Sequence, residues 1–277
     1  MIVPEDEAGV ALVPTVMEYL RRHPLGRRFL VLGPLPEESV VWKGVEAYGP
    51  SRFCARSDWS AFFIDCTMSY DRLLAGLTKN FRKNLRNNSN RLKQFGEVRF
   101  VQVSGRDGLE KELATFLDIE ASGWKGEHGT GSAINLHPNL VAFYRDLAAE
   151  MLGPEDYCEI CSLYAAGHCL ASMFSVRTGE TYATVKIGYD ETFSRLGPGQ
   201  ALLQKTIERC CADPGIKQFD MVGTPAWVKG WQPQQKRFRQ GHIAIGGIPS
   251  RLPVALLSLR FGAVRHAVRS VRRRLGR

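Results

Sequence analysis

A short glycine-containing loop holds the residues of this chain whose types and spacing best fit a chemical task. Positions 195–201 read Arg-Leu-Gly-Pro-Gly-Gln-Ala and lie between a predicted strand and a predicted helix. A helix N-terminus presents unpaired N–H groups, glycines let the backbone approach a phosphate closely, and an arginine adds a charge-assisted hydrogen bond. The loop therefore suits a pyrophosphate, although these seven residues alone fit a plain tight turn at least as well.

The elements around the loop predict how it is positioned. Strands over 157–165, 168–178 and 180–189 are joined by two glycine-containing turns, which indicates an antiparallel meander. After the loop come a helix over 199–212, a strand over 217–222, a Trp-rich loop over 224–234 and a strand over 242–245. Before the meander, the predicted helices are 10–22, 70–95, 107–123 and 137–152, and the predicted strands are 28–36, 62–65 and 97–103. This order predicts an α/β (α+β) fold with a mixed, mainly antiparallel sheet flanked by helices.

The meander, the Arg-x-Gly-x-Gly loop and the following helix resemble motif A of the GNAT acetyltransferases. Three further segments resemble the acetyltransferases associated with cellulose and exopolysaccharide biosynthesis, which are relatives of the Fem-type peptidyltransferases. These are positions 81–86 (Phe-Arg-Lys-Asn-Leu-Arg), positions 117–126 with an "E-x-x-x-W-K" pattern, and positions 219–231 with "FD-x-x-G". In the last segment Lys229 and Trp231 stand one residue closer together than the family's "K-x-x-W". The resemblance covers about residues 60–247.

The resemblance implies a GNAT-like fold, an acetyl-CoA or other acyl-CoA donor, and an amine or hydroxyl acceptor. The donor's pantetheine would pair with the strand that contains Val185 and Ile187. Its pyrophosphate would be held by Arg195, Leu196, Gly197, Gly199, Gln200 and Ala201. This assignment predicts direct transfer in a ternary complex, which needs a base for the acceptor and an acid for the leaving thiolate.

Three residues are candidates for catalysis, and each has a structural alternative. Asp220 could deprotonate or orient the acceptor, or it could cap the loop after its strand. Tyr189 could protonate the thiolate, or it could be an ordinary half-buried strand residue. Glu120 is the acidic residue of the "E-x-x-x-W-K" segment, or it could simply be a solvated residue at a helix end. The acceptor-binding candidates are Trp124, Lys125, Lys229 and Trp231, with packing or solvation as the alternative for each.

The net charge of +9 comes from two basic segments on a mildly acidic body. Residues 78–93 contain six Lys or Arg and no acid, which suits the donor's 3′-phosphate, a polysaccharide or RNA, or else a solvated helix face. Residues 251–277 contain eight Arg and no acid, with apolar residues at helical spacing. This pattern predicts a basic amphipathic helix that lies on an anionic membrane or docks on its own domain.

The cysteines and histidines show no metal-like spacing, so no metal site is predicted. Cys158 and Cys161 form a CxxC pair, but alternation along a strand places them on opposite faces, and no second pair completes a ligand set. The chain opens without a secretory signal and has no run of 18 apolar residues, so we expect a cytoplasmic protein, peripheral on the inner membrane face if residues 251–277 bind lipid.

Three function classes follow from these patterns. The first is an acyl-CoA-dependent acyltransferase acting on a sugar, lipid-linked or amine acceptor. The second is a Fem-like transferase that uses aminoacyl-tRNA, which the loop disfavours because a tRNA donor has no pyrophosphate to cradle; nucleic acid is therefore not expected as a partner. The third is a non-catalytic accessory protein that binds a polymer or a membrane.

The predicted domains are a partial N-terminal subdomain (1–68), the acyltransferase domain (69–249) and the basic helix (250–277).

Overall fold

The computed structural model of the chain describes residues 6–23, 29–49, 52–105 and 108–245, and Val254, with the side chains of 56–58 excluded. These residues form two compact units, one from the described parts of 1–60 and 236–277 and the other from residues 61–235. This division groups residues 236–245 with the N-terminal part of the chain, unlike the boundaries expected from the sequence. The predicted C-terminal helix lies outside the described residues except for Val254.

Helices and strands alternate along much of the described chain. The helices are α1 (Glu7–Arg22), α2 (Val40–Tyr48), α3 (Tyr70–Gly76), α4 (Lys79–Phe95), α5 (Leu109–Ala121), α6 (Pro138–Glu150) and α7 (Pro198–Ala212). The strands are β1 (Phe29–Pro36), β2 (Phe53–Asp65), β3 (Val98–Ser104), β4 (Asp156–Ala165), β5 (His168–Thr178), β6 (Thr181–Tyr189), β7 (Gln218–Asp220) and β8 (Gln234–Ala244).

In the first unit, helices α1 and α2 pack closely on each other. The side chain of Asp6 caps α1 by accepting a hydrogen bond from the Gly9 N–H at 3.0 Å. Gly44 of α2 permits the close contact, because a Cβ there would lie 2.5 Å from the Cβ of Val13. Strands β1 and β8 pair antiparallel from Phe29↔Ala244 onward. Strand β8 is longer than the predicted strand over 242–245.

In the second unit, the strand order is β2-β7-β6-β5-β4-β3. The pairs β2–β7, β3–β4, β4–β5 and β5–β6 are antiparallel, and β6–β7 is parallel. The predicted meander is therefore confirmed as β4-β5-β6. Its first turn uses Ala166 and Gly167 at φ 49° and 83°, and its second uses Gly179 at φ 54°. The predicted fold class, a mixed and mainly antiparallel sheet flanked by helices, is confirmed.

Helices cover both faces of this sheet. Leu113 and Phe116 of α5 and Tyr144 of α6 pack with Cys158 and Phe174 on one face, which we call the α5 face. On the opposite face, the α7 face, Leu92 of α4 and Leu202 of α7 pack with Cys161 and Met173. Neighbouring strand residues belong to different clusters because side chains alternate across a strand. The two cysteines of the CxxC pair thus lie on opposite faces, as predicted.

The predicted single helix over 70–95 is wrong, because the chain breaks it into α3 and α4. Leu77 is extended, with φ −78° and ψ 156°. Thr78 then begins α4 as an N-cap, its hydroxyl accepting a hydrogen bond from the Phe81 N–H at 3.2 Å. The apolar spacing of Leu73, Leu77 and Phe81 runs across the break, which explains why periodicity alone suggested one helix.

Among the described residues, no helix combines the length and apolar character that crossing a membrane requires.

Candidate functional site

An opening in the sheet of the second unit lies between β6 and β7. The two strands pair only through Thr181, Tyr182 and Ala183 of β6. Beyond Ala183, β6 continues to Tyr189 with β5 as its partner on one side, whereas β7 ends at Asp220. The edge of β6 from Thr184 onward is therefore unpaired on the β7 side, within the described part of the chain, and its backbone groups face the opening.

A β-bulge in β6 marks the start of this opening. Lys186 pairs with Phe174 and Thr184 with Ser175, which leaves Val185 as the extra residue. A bulge bends its strand and increases the local twist. Because the bulge follows directly after the last residue paired to β7, it accounts for the divergence of the two strands. After the bulge, successive residues alternate between the two faces of the sheet. Ile187 and Tyr189 lie on the α7 face, and Lys186 and Gly188 lie on the α5 face.

A cavity of about 720 Å³ occupies the opening. This volume lies within the range of small-molecule sites. Its walls come from the edge of β6, the loop after α5, the N-terminus of α7 and the segment after β7. The predicted site residues in its lining are Trp124, Lys125, Val185, Ile187, Tyr189, Gly197, Gly199 and Gln200. The other lining residues are Thr184, Lys186, Ser194, Pro198, Met221, Val222, Gly223, Thr224, Pro225 and Trp227.

The glycine-containing loop places a helix N-terminus at one end of the cavity. A 3₁₀ turn over Glu191–Leu196 separates β6 from α7 and ends at Gly197, whose φ is 68°. The described hydrogen bonds use the N–H groups of Gly197 and Ala201, and none uses that of Gly199 or Gln200. Two backbone donors at the start of α7 therefore remain available, as a bound phosphate requires.

Helix α4 supports this loop from outside. A Cβ at Gly197 would lie 2.4 Å from Nδ2 of Asn88, so only glycine fits there. The Arg91 guanidinium donates a hydrogen bond to the Arg195 carbonyl. Sequence reasoning missed Asn88, although its position three residues after buried Leu85 places it on the inner side of α4. The side chain of Arg195 is exposed and lies outside the lining. Half-buried Leu196 and buried Ala201 are outside the lining as well.

The Trp-rich loop is tied to α7 through Gln200. The Gln200 amide donates to the Trp227 carbonyl at 2.9 Å and accepts from the Trp231 indole N–H at 3.0 Å. Trp231 is only 1% exposed and packs against Phe81, so it lies in the core and not in the cavity lining. Lys229 is outside the lining as well. The aromatic ring that this loop presents to the cavity is Trp227, which was not among the predicted site residues.

Glu120 and Lys125 form an ion pair beneath the cavity. The Lys125 Nζ lies 3.0 Å from Oε1 of Glu120 and donates to the Ile187 carbonyl at 3.0 Å. Oε2 of Glu120 accepts from the Ile134 N–H at 2.9 Å. The Glu120 side chain has no exposed surface, so it lies outside the lining and anchors the loop between α5 and α6. Trp124 of that loop is 59% exposed and lines the cavity.

The two remaining candidates occupy different environments. Tyr189 is 39% exposed, lines the cavity and packs next to Gly199, where an added Cβ would lie 3.5 Å from its Cδ1. Asp220 caps the turn after β7, because its carboxylate accepts from the Val222 N–H at 2.7 Å and from the Gln218 amide at 3.0 Å. Its carboxylate is outside the lining.

Among the described residues, no group of three His, Cys, Asp or Glu side chains could hold a metal ion. Cys158 and Cys161 are fully buried and unbridged. Burial raises the pKa of the Cys158 thiol to about 11, and it raises the pKa of the Cys161 thiol as well.

Comparisons with known proteins agree with this geometry. The model of the acetyltransferase (GNAT) domain matches residues 79–230. A conserved protein of unknown function from Bacteroides thetaiotaomicron shares 16% identity and a TM-score of 0.55, over 85% of this chain and 75% of that chain. L-PGS from Bacillus licheniformis shares 14% identity and a TM-score of 0.55, over 88% of this chain and 77% of that chain.

A third similar structure is the C-terminal domain of a protein named as a lysylphosphatidylglycerol synthetase from Agrobacterium fabrum. It shares 14% identity and a TM-score of 0.53, over 92% of this chain and 78% of that chain. At these identities the structures show a shared fold alone, and no curated protein matched the sequence. The family match spans more than half of the chain and includes the loop, α7 and the opening beside β6. The chain therefore belongs to the family of GNAT acetyltransferase domains.

Proposed function

We propose that this protein transfers an acyl group from an acyl-CoA to an amine or hydroxyl acceptor. The observation that carries the proposal is the cavity beside the unpaired edge of β6, which has the free N-terminus of α7 at one end. An extended pantetheine needs a strand edge with open backbone groups, and a pyrophosphate needs clustered N–H donors. Both features border one cavity. The strand edge leads to the helix N-terminus, as the pantetheine of CoA leads to its pyrophosphate.

The donor's pyrophosphate would be bound by the N–H groups of Gly199 and Gln200, with Arg195 adding charge from the rim. Leu196, Gly197 and Ala201 hold the turn in shape. The pantetheine would follow β6 past Ile187 to the bulge at Val185. The residues fit this group, because glycine at 197 is required by Asn88 and position 199 is open on the cavity side. The donor supplies a thioester-activated acyl group.

Tyr189 lines the cavity beside Gly199, at the end assigned to the pyrophosphate, so it would border the phosphates and not the sulfur. In direct transfer, a bond forms from the acceptor nitrogen or oxygen to the carbonyl carbon as the carbon–sulfur bond breaks. The proton that the acceptor loses would pass to the leaving thiolate, directly or through a water. Asp220 and Glu120 act in this proposal by holding the turn after β7 and the loop after α5, since hydrogen bonds or burial occupy both carboxylates.

The acceptor side of the cavity is aromatic. Trp124 and Trp227 are 59% and 44% exposed and both line it, and Lys125 adds a cation. Exposed indoles suit a sugar ring or another flat, partly apolar body. A sugar, lipid-linked or amine acceptor in polysaccharide or cell-envelope synthesis fits this side, with the resemblance to exopolysaccharide acetyltransferases as the further support.

A second candidate is transfer from an aminoacyl-tRNA. The supporting observation is α4, where Lys79, Lys83, Arg86 and Lys93 form no ion pair within the described residues. Such a surface attracts a polyanion, with an affinity that falls steeply as salt rises.

Calorimetric titration separates the two candidates. The proposal predicts that the wild-type protein binds acetyl-CoA with a dissociation constant between about 1 μM and 1 mM, and that Arg195→Ala weakens this binding severalfold. Lys205→Ala, which removes an exposed cation of α7 outside the cavity lining, is the control and should bind as the wild type does. If no heat is detected with acetyl-CoA or longer acyl-CoAs, but tRNA binds with a steep salt dependence, the second candidate replaces the first.

A further inference from the structure

The cavity contains one ammonium group whose position is fixed by a buried counter-ion. Lys125 lies in the loop after α5, and its side chain is 17% exposed. Its Nζ is 3.0 Å from the fully buried Oε1 of Glu120 and 3.0 Å from the carbonyl oxygen of Ile187. An ammonium has three hydrogens. The Ile187 carbonyl uses one of them, Glu120 attracts the ammonium by its charge, and the side chain lines the cavity, so a donor remains for a ligand.

The contacts of Glu120 hold this group in place against β6. Its second oxygen accepts the Ile134 N–H at 2.9 Å, while its first oxygen faces the ammonium as an ion pair. A Cβ at Gly188 would lie 2.7 Å from the Glu120 Cα, which shows how closely α5 approaches the strand. The carboxylate, the ammonium and the strand edge therefore form one rigid arrangement. Such preorganised donors stabilise developing negative charge most effectively.

The location of Lys125 indicates which part of a donor it meets. The pyrophosphate end of the cavity is at Gly199, beside Tyr189, whereas Ile187 lies nearer the bulge at Val185. Lys125 also approaches from the α5 face, opposite α7. Its charge is balanced by Glu120, so the pair suits a polarised neutral group better than a phosphate. An acyl-CoA carries such carbonyls in its two pantetheine amides and in its thioester, and only the thioester carbonyl gains negative charge during transfer, which is the charge that a fixed ammonium stabilises.

We infer that Lys125 donates a hydrogen bond to the thioester carbonyl oxygen, on which negative charge develops during transfer, and that Glu120 is the residue that positions it. The inference rests on the proposed function and names a carbonyl-binding residue within it. A purely structural Lys125 would instead hold the loop without distinguishing ligands by their carbonyl group.

Two ligands that differ mainly in one oxygen atom test the inference. Acetyl-CoA carries the carbonyl, and S-ethyl-CoA lacks it. We expect the wild-type protein to bind acetyl-CoA about tenfold more tightly, as a hydrogen bond to a charged group implies. Lys125→Met should bring this ratio close to one while the affinity for S-ethyl-CoA stays nearly unchanged. Lys205→Met is the control, because this lysine is exposed and outside the cavity lining, and it should keep the wild-type ratio.

Removing Lys125 alone leaves Glu120 as a buried unpaired charge, which threatens folding. The double variant Glu120→Gln/Lys125→Met removes both charges and should give the same loss of preference, with folding checked by circular dichroism. A wild-type ratio near one, or a ratio that survives in the double variant, overturns the role of Lys125 while acyl-CoA binding still stands. If neither ligand binds the wild-type protein, both the proposed function and this inference fail.

Discussion

At the scale of single residues, the two glycines of the loop have different functions. Gly197 has a positive φ, and its missing side chain leaves room for Asn88 of α4. Gly199 has no such strain and borders open space beside Tyr189. One glycine therefore shapes the turn, and the other leaves the helix N-terminus accessible. We therefore expect a side chain at Gly197 to destabilise the loop, and a side chain at Gly199 only to obstruct a ligand.

Gly197→Ala should destabilise the second unit by about 2 kcal/mol or more, since it adds a clash with Asn88 to the cost of left-handed backbone. Gly179→Ala is the matched control, because Gly179 also has a positive φ but no atom within 4 Å of an added Cβ, and it should cost only about 1 kcal/mol. Urea denaturation measures both values. Adding Asn88→Ala should recover the difference. Equal losses in the two single variants would show that Asn88 does not constrain the loop.

The sequence predicted the site best where a local motif carried it. Eight predicted residues do line one cavity, because strand, loop and helix follow each other in the chain. Prediction failed for residues whose burial depends on packing between segments that are distant in the sequence. Trp227 and Trp231 are four residues apart, and contacts with distant residues, Phe81 and Gln200, accompany the burial of Trp231. Asn88 and the burial of Glu120 likewise depend on segments that are distant in sequence.

At the scale of elements, two local irregularities shape the second unit. The bulge at Val185 separates β6 from β7 and creates the opening. The break at Leu77 and Thr78 divides the segment into α3 and α4. The spacing of apolar residues in the sequence predicts neither the bulge nor the break. A bulge requires knowledge of the partner strand's register, and the break depends on whether one threonine hydroxyl caps a helix.

Thr78→Ala should lower the free energy of unfolding by about 1 kcal/mol, because the Phe81 N–H at the start of α4 loses its partner. Thr78→Ser retains the hydroxyl and serves as the control, with stability near that of the wild type. Chemical denaturation followed by circular dichroism compares them. If the alanine variant is as stable as the serine variant, the hydroxyl does not contribute, and the boundary between α3 and α4 has another cause.

At the scale of the whole molecule, the family match and the fold agree, and the C-terminal basic segment extends beyond the match. Residues 79–230 account for the GNAT domain. The C-terminal segment 251–277, with its eight arginines, lies outside the match and, except for Val254, outside the described residues. Its apolar spacing and its arginines predict a basic amphipathic helix that lies on an anionic membrane or docks on its own domain.

Liposome flotation tests that prediction. The full chain should float with vesicles rich in phosphatidylglycerol but not with neutral phosphatidylcholine vesicles, and added salt should weaken the binding. Replacing Arg269, Arg272, Arg273 and Arg274 by Gln preserves the apolar spacing and should abolish recovery. Equal recovery of the wild type and this variant with anionic vesicles would exclude electrostatic attraction as the cause.

The account depends most on the claim that the N-terminus of α7 binds the phosphates of an acyl-CoA. The direct measurement is the acetyl-CoA affinity of Gly199→Glu and Gly199→Gln, which differ only in charge at a position that tolerates a side chain. We predict that the Glu variant binds at least about tenfold more weakly than the Gln variant at low salt, with a smaller difference as salt rises. Equal, wild-type-like affinities in both variants would contradict the claim.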